Sequence, residues 1–148
     1  IVTSATYRQT SSEFRVPSSQ ERQGEQVAVQ RFEDLVAWQK ARVLAAEVYR
    51  VVGQGAVARD FGLKDQMSRA AVSIMANIAE GFDRRSPADF ARFLTIAKAS
   101  CAELKSHFYV AMDVGYFTAE TFRKLHDQAD EVSRIINGLK ASLNVSSK

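Results

Sequence analysis

Catalytic chemistry in this chain of 148 residues would have to come from very few groups. There is one cysteine, Cys101, and there are two histidines, His107 and His126. A nucleophilic thiol needs a neighbouring base and a lowered pKa. Cys101 instead falls on a regular apolar stripe, where a small apolar filler is the ordinary role. Glu103 precedes His107 by four residues rather than three, so the Glu-x-x-His ligand spacing of di-iron bundles is missing. No His-Glu-x-x-His, paired cysteines or phosphate-binding glycine loop occurs, and Gly53-Gln54-Gly55 reads as a connection. The sequence therefore predicts no catalytic residue, no metal ligand set and no cofactor.

What remains is charge. Arg84 and Arg85, followed by Arg92, Lys98 and Lys105, form the best basic cluster, and Lys98 and Lys105 share a helical face. Asp83 and Asp89 partly neutralise it, and the net charge is only +3. Such a balance permits contact with the phosphate backbone of RNA or DNA without requiring it. Ordinary solvated surface is the alternative.

These residues must be positioned by helices. Hydrophobic residues make up 46% of the chain, with 7 glycines and 2 prolines, a poor supply of breakers for a strand-and-turn fold. Residues 1–31 show no sustained periodicity and read as a flexible N-terminal tail without the apolar run of a secretion signal. From Phe32 the pattern turns helical. A first helix is expected over about 33–52, with Leu35, Trp38, Ala45, Val48 and Val52 on one side. A second spans about 63–82, with Met67, Ala71, Ile74 and Ile78 inward.

Ser86 as cap, Pro87 at the first position and Asp89 in the first turn start a third helix, which Gly115 ends. Its stripe is Phe90, Leu94, Ala97, Cys101, Leu104, Phe108 and Ala111. Thr118 caps a fourth, striped by Phe122, Leu125, Ala129, Val132, Ile136, Leu139 and Leu143. Steps alternating three and four are the seam of helices packed at shallow angles, and short links make neighbours antiparallel. An all-α, up-down-up-down four-helix bundle over 32–144 is the expectation, with a short C-terminal tail at 145–148. No apolar stretch is long enough to cross a bilayer, and a lone cysteine fits a reducing compartment, so a cytoplasmic location is expected.

The second and third helices carry more apolar residues than one buried stripe needs. Val72, Met75, Ala79 and Phe82 lie beside the main stripe of one, Phe93 and Ile96 beside that of the other. They either widen the core or form a contact surface between subunits. Among them stand Arg69, Asn77, Glu80, Ser100 and Glu103, expected to make interhelical or intersubunit polar contacts that fix register and partner choice, with ligand binding the alternative.

The run Phe61-Gly62-Leu63-Lys64-Asp65-Gln66-Met67-Ser68-Arg69-Ala70-Ala71, leading into Asn77-Ile78-Ala79-Glu80-Gly81, closely resembles the four-helix bundle proteins encoded within intervening sequences of bacterial 23S ribosomal RNA genes. Leu35-Val36-Ala37-Trp38-Gln39-Lys40-Ala41, Phe93-Leu94-Thr95-Ile96-Ala97 with Ser100 and Glu103, and Gly115-Tyr116 extend the resemblance over about 32–143. Met75-Ala76 stands where that family usually has a proline, and Ala99 where it favours glycine. The resemblance implies a bundle assembled as a homopentameric ring. It is also distantly similar to the accessory variability proteins of diversity-generating retroelements, basic pentameric bundles that bind nucleic acid and a reverse transcriptase. Two functions follow as expectations: a non-enzymatic homo-oligomer that binds RNA or DNA through backbone charge, or a scaffold whose partner is another protein.

Overall fold

A computed structural model describes residues 14–17 and 28–143. Four long helices dominate: α1 (Val36–Val52), α2 (Phe61–Asp83), α3 (Pro87–Asp113) and α4 (Ala119–Ser142). Short 3-10 turns occupy Phe32–Asp34 and Ala56–Arg59. Among the described residues there is no strand, only an isolated bridge between Pro17 and Ala28. No described helix is long and apolar enough to cross a membrane.

The helix starts are written in side chains. Ser86 Oγ accepts from Asp89 N at 3.4 Å and Thr118 Oγ1 from Thr121 N at 3.1 Å, each satisfying a backbone donor that has no partner inside the helix. Asp60 does the same for α2 through Leu63 N at 3.1 Å, so that helix begins two residues earlier than its apolar pattern suggests. Gly115 takes a φ of 81°, a left-handed conformation open to glycine, and Tyr116 N then reaches back to Ala111 O at 2.8 Å. α2 runs unbroken through Met75-Ala76.

All seven stripe residues of α3, from Phe90 to Ala111, are fully buried. Met67, Ala71, Ile74 and Ile78 of α2 join them, as do Leu125, Ala129, Val132 and Ile136 of α4. α3 makes its widest contact with α2, and α1 touches both α2 and α4. Across the α1–α4 face Lys40 pairs with Glu131 and Lys124 with Glu47, so moving forward along α1 moves the contact backward along α4.

The expectation of a flexible tail over 1–31 needs correcting where the structure describes it. Val16 is buried in the core, and Phe14 sets its ring edge-on to Phe82 and Phe90, at 5.4 and 5.8 Å between centroids. Val29 N donates to Val16 O at 3.0 Å, and Arg85 Nη2 to Gln30 O at 2.9 Å. These few apolar side chains have no periodicity because they form a strap rather than a helix. The rest of the expected tails, 1–13, 18–27 and 144–148, lies outside the described residues.

Candidate functional site

The α2–α3 seam is built from small residues that let two helices approach closely. Ser73 Oγ and Ser100 Oγ stand 2.9 Å apart across it and share a hydrogen bond. Asn77 Nδ2 donates to Ser73 O at 2.8 Å and to Ser73 Oγ at 3.0 Å, so the amide and two hydroxyls form one connected group. One turn on, a Cβ placed on Gly81 would lie 2.5 Å from Phe93 Cβ and 3.0 Å from Phe90 Cδ2. Only glycine admits Phe93 at that distance. Ala99 is exposed, so its substitution for glycine leaves this seam untouched while Ser100 faces inward.

The remaining polar residues singled out from sequence are not interhelical within the chain. Arg69 Nε pairs with Asp65 at 2.9 Å, Glu80 with Arg84 at 3.3 Å, and Glu103 stands 3.5 Å from His107 Nε2. Each is a contact one turn away on the same helix, the commonest partner for a long charged side chain on an exposed face. Within the chain Arg69 and Glu103 therefore do not meet across the α2–α3 seam, each pairing on its own helix. His107 Nε2 is buried without a hydrogen bond, Glu103 being within ion-pair reach only.

The surplus apolar residues divide into two groups. Phe82 and Phe93 belong to the interior of the single chain, Phe93 at 7% exposure, which corrects their assignment to an outer face. Phe82 is covered by Phe14 and Phe90, and Phe93 lies between the guanidinium groups of Arg84 (5.3 Å) and Arg92 (4.8 Å). Val72 and Ile96 remain 41% exposed, with Met75 and Ala79 half-buried beside them. Val110, Val114 and Phe61 are exposed further along α2 and α3.

The cations divide as well. Arg85 is a structural clasp: at a φ of 55° it places its guanidinium 4.6 Å from the Phe82 ring and bonds to Gln30 O. Lys105 Nζ donates to Asp130 Oδ1 at 2.7 Å and holds that carboxyl below the usual carboxylate range. Arg84 and Arg92 keep exposed side chains despite pairing with Glu80 and Asp89, and Lys98 is exposed with no carboxylate partner.

Sequence reasoning missed Arg134 and Lys140, exposed on α4. They lie 29 and 35 residues beyond Lys105, the end of the basic cluster in sequence, and only the packing of α4 on α3 brings them to its side. Lys140 Nζ donates to Thr95 Oγ1 at 2.8 Å.

Cys101 is fully buried, and desolvation pushes its thiol up to about 11, the reverse of what a nucleophile needs. Among the described residues no three His, Cys, Asp or Glu side chains are grouped to hold a metal. The second histidine, His126, lies 3.5 Å from Asp130 and packs with Tyr109 and Phe122.

Comparison with known proteins finds both a family and a fold. The model of the 23S rRNA-intervening sequence protein family matches residues 33–138. A solved structure from Bacteroides thetaiotaomicron, described as a protein of unknown function from the S23 ribosomal protein family, is 23% identical. It superposes with a TM-score of 0.65 over 71% of this chain and 98% of its own, a likeness of fold. No curated protein matches the chain.

Proposed function

This chain belongs to the 23S rRNA-intervening sequence protein family, and from that premise we propose that it is a non-enzymatic bundle that assembles with copies of itself and binds RNA or DNA through backbone charge. The helices run up-down-up-down and antiparallel, copies close into a homopentameric ring, and the assembly works in the cytoplasm. The observation that carries the reading is the pair Val72 and Ile96. They stay open to solvent on the two helices of the tightest seam, after every stripe residue around them has been buried. An apolar strip on a rigid helix pair is the kind of surface a second copy covers.

Assembly multiplies charge. Five copies would carry five times the net charge of +3, with Arg84, Arg92 and Lys98 repeated around an axis. Repeated exposed cations attract a phosphate backbone without reading bases. The absence of base-reading is why no single sequence motif is needed.

Mass measurement in solution by light scattering tests the assembly. Wild type should run as a multiple of 16.4 kDa, with five copies expected, and V72E/I96E as one copy. A wild-type chain that stays single at all concentrations would refute the reading.

A second reading, a scaffold for another protein, is favoured by Tyr109. It is 52% exposed yet held edge-on to Phe122 at 4.8 Å, a preorganised aromatic of the type that anchors protein interfaces.

A further inference from the structure

The α3–α4 seam keeps one register over a long stretch. Lys105 meets Asp130, and Thr95 meets Lys140: ten residues back along α3 is ten residues forward along α4. On this register Lys98 stands level with Asn137, and Arg134 about one turn away. The stretch has an unusual composition. α3 has no carboxylate from Phe90 to Ala102, and α4 has none from Val132 to Ser142. Lys98, Arg134 and Lys140 are all exposed there; none is in a close ion pair, and Arg134 acts only at longer range on Asp130, one turn before it. Lys140 is steadied by a neutral hydroxyl, which leaves its charge uncancelled. Beyond Lys105 carboxylates outnumber cations on the two helices, with Asp113, Glu120, Asp127, Asp130 and Glu131 against Arg123 and Lys124.

We propose that this carboxylate-free half of the α3–α4 seam, with Lys98, Arg134 and Lys140 as its cations, is the surface that grips the backbone of double-stranded nucleic acid. The assignment rests on the nucleic-acid reading above and gives it a place and a partner. The three cations lie along two helices rather than at a point, and Arg134 to Lys140 covers about 9 Å of helix. That length suits a row of phosphates better than a small anion. Ser133 and Asn137 between them can hydrogen-bond phosphate and sugar oxygens, while the Thr95 hydroxyl is taken up by Ala91 O and Lys140. Ile96, exposed on this stretch of α3, belongs with Val72 beside α2, so a membrane surface would find no large apolar side chain exposed among the three cations. No exposed aromatic is there either, as stacking of unpaired bases would need; Tyr109 stands at the acidic end. What is left is a surface fit for a duplex backbone.

The test uses the full chain and fluorescent 20-base-pair RNA and DNA duplexes, the matching single strands, and vesicles rich in phosphatidylserine, over a salt titration. Wild type should bind duplex, and affinity should fall as salt rises. K98A/R134A/K140A should bind roughly tenfold or more weakly, with a salt slope shallower by about 2 to 3 if each cation contacts one phosphate. A102E/N137E, which removes no cation, should weaken binding too, while K98R/R134K/K140R should keep the slope. Circular dichroism and light scattering establish that each variant folds and assembles as wild type does.

A wild type that binds duplex, with the triple alanine variant binding equally well and with the same slope, would overturn the placement and leave the broader reading standing. Stronger binding to single strands, or binding to vesicles alone, would overturn the choice of partner. A wild type that binds no nucleic acid at low salt would bring down the broader reading itself.

Discussion

Tyr116 Oη donates a hydrogen bond to Asp60 Oδ2 at 3.0 Å, while Oδ1 of the same carboxylate accepts from Leu63 N at 3.1 Å. One side chain thus starts α2 and ties the α3–α4 turn to it. D60A should lose the cap, at about 1 kcal/mol, and free the turn as well. Y116F keeps the cap and loses only the tie, so its melting temperature should fall less than that of D60A.

The same bond sets an alkaline limit. Donation to Asp60 holds the Tyr116 hydroxyl above its ordinary value of 10.0, since the neutral form is the one that donates. The stabilisation is whole below about pH 10 and is lost as pH rises through the higher folded value. Thermal melts between pH 8 and 12 should therefore converge for wild type and Y116F at the alkaline end.

Glu47 sets the acid counterpart. It accepts from Arg50 and from Lys124 on α4, and these bonds bring its carboxyl down to about 2. Its contribution is present above the usual glutamate value of 4.5 and disappears as pH falls through the folded value. E47Q should melt lower than wild type at pH 7, with the gap closing by pH 2.

Two glycines should respond to alanine with opposite signs. At Gly81 the new methyl would overlap Phe93, and overpacking of this kind costs about 1–3 kcal/mol, more than the helix propensity gained. At Gly138 a Cβ meets nothing within 4 Å, because it borders an apolar cavity of about 300 Å³ between the strap, α1 and α4. G138A should stabilise by up to about 1 kcal/mol. Urea denaturation of both variants checks the pair.

The polar group on the α2–α3 seam should behave as a unit. S100A leaves Ser73 without its partner across the seam and should cost about 1 kcal/mol. N77A removes two bonds to Ser73, and a double-mutant cycle between positions 77 and 100 should show coupling rather than additivity. An additive cycle would mean the three side chains act separately.

The helices were legible because their information is local. Ser86, Pro87 and Thr118 announce their ends, and the stripes of α3 and α4 name their buried faces one turn at a time. The motif Asn77-Ile78-Ala79-Glu80-Gly81 was recognisable, but its reasons were not. Asn77 needs Ser73 and, through it, Ser100, and Gly81 needs Phe93, and both Ser100 and Phe93 belong to another helix. Phe82 and Phe93 misled because a stripe beside the core stripe has the same spacing whether solvent, a strap or two arginines cover it. Arg134 and Lys140 were missed for a related reason. Cations that cluster along the chain are visible in the sequence, and these two join the cluster only through the packing of α4 on α3.

The strap has a consequence for the order in which the molecule is made. Phe14 and Val16 leave the ribosome early, yet Phe82 and Phe90, which cover Phe14, come more than sixty residues later. Until then the Phe14 ring lacks the two rings it packs against. The strap is thus made before its seat and settles only after it, and Arg85 closes over it from the turn that completes that seat.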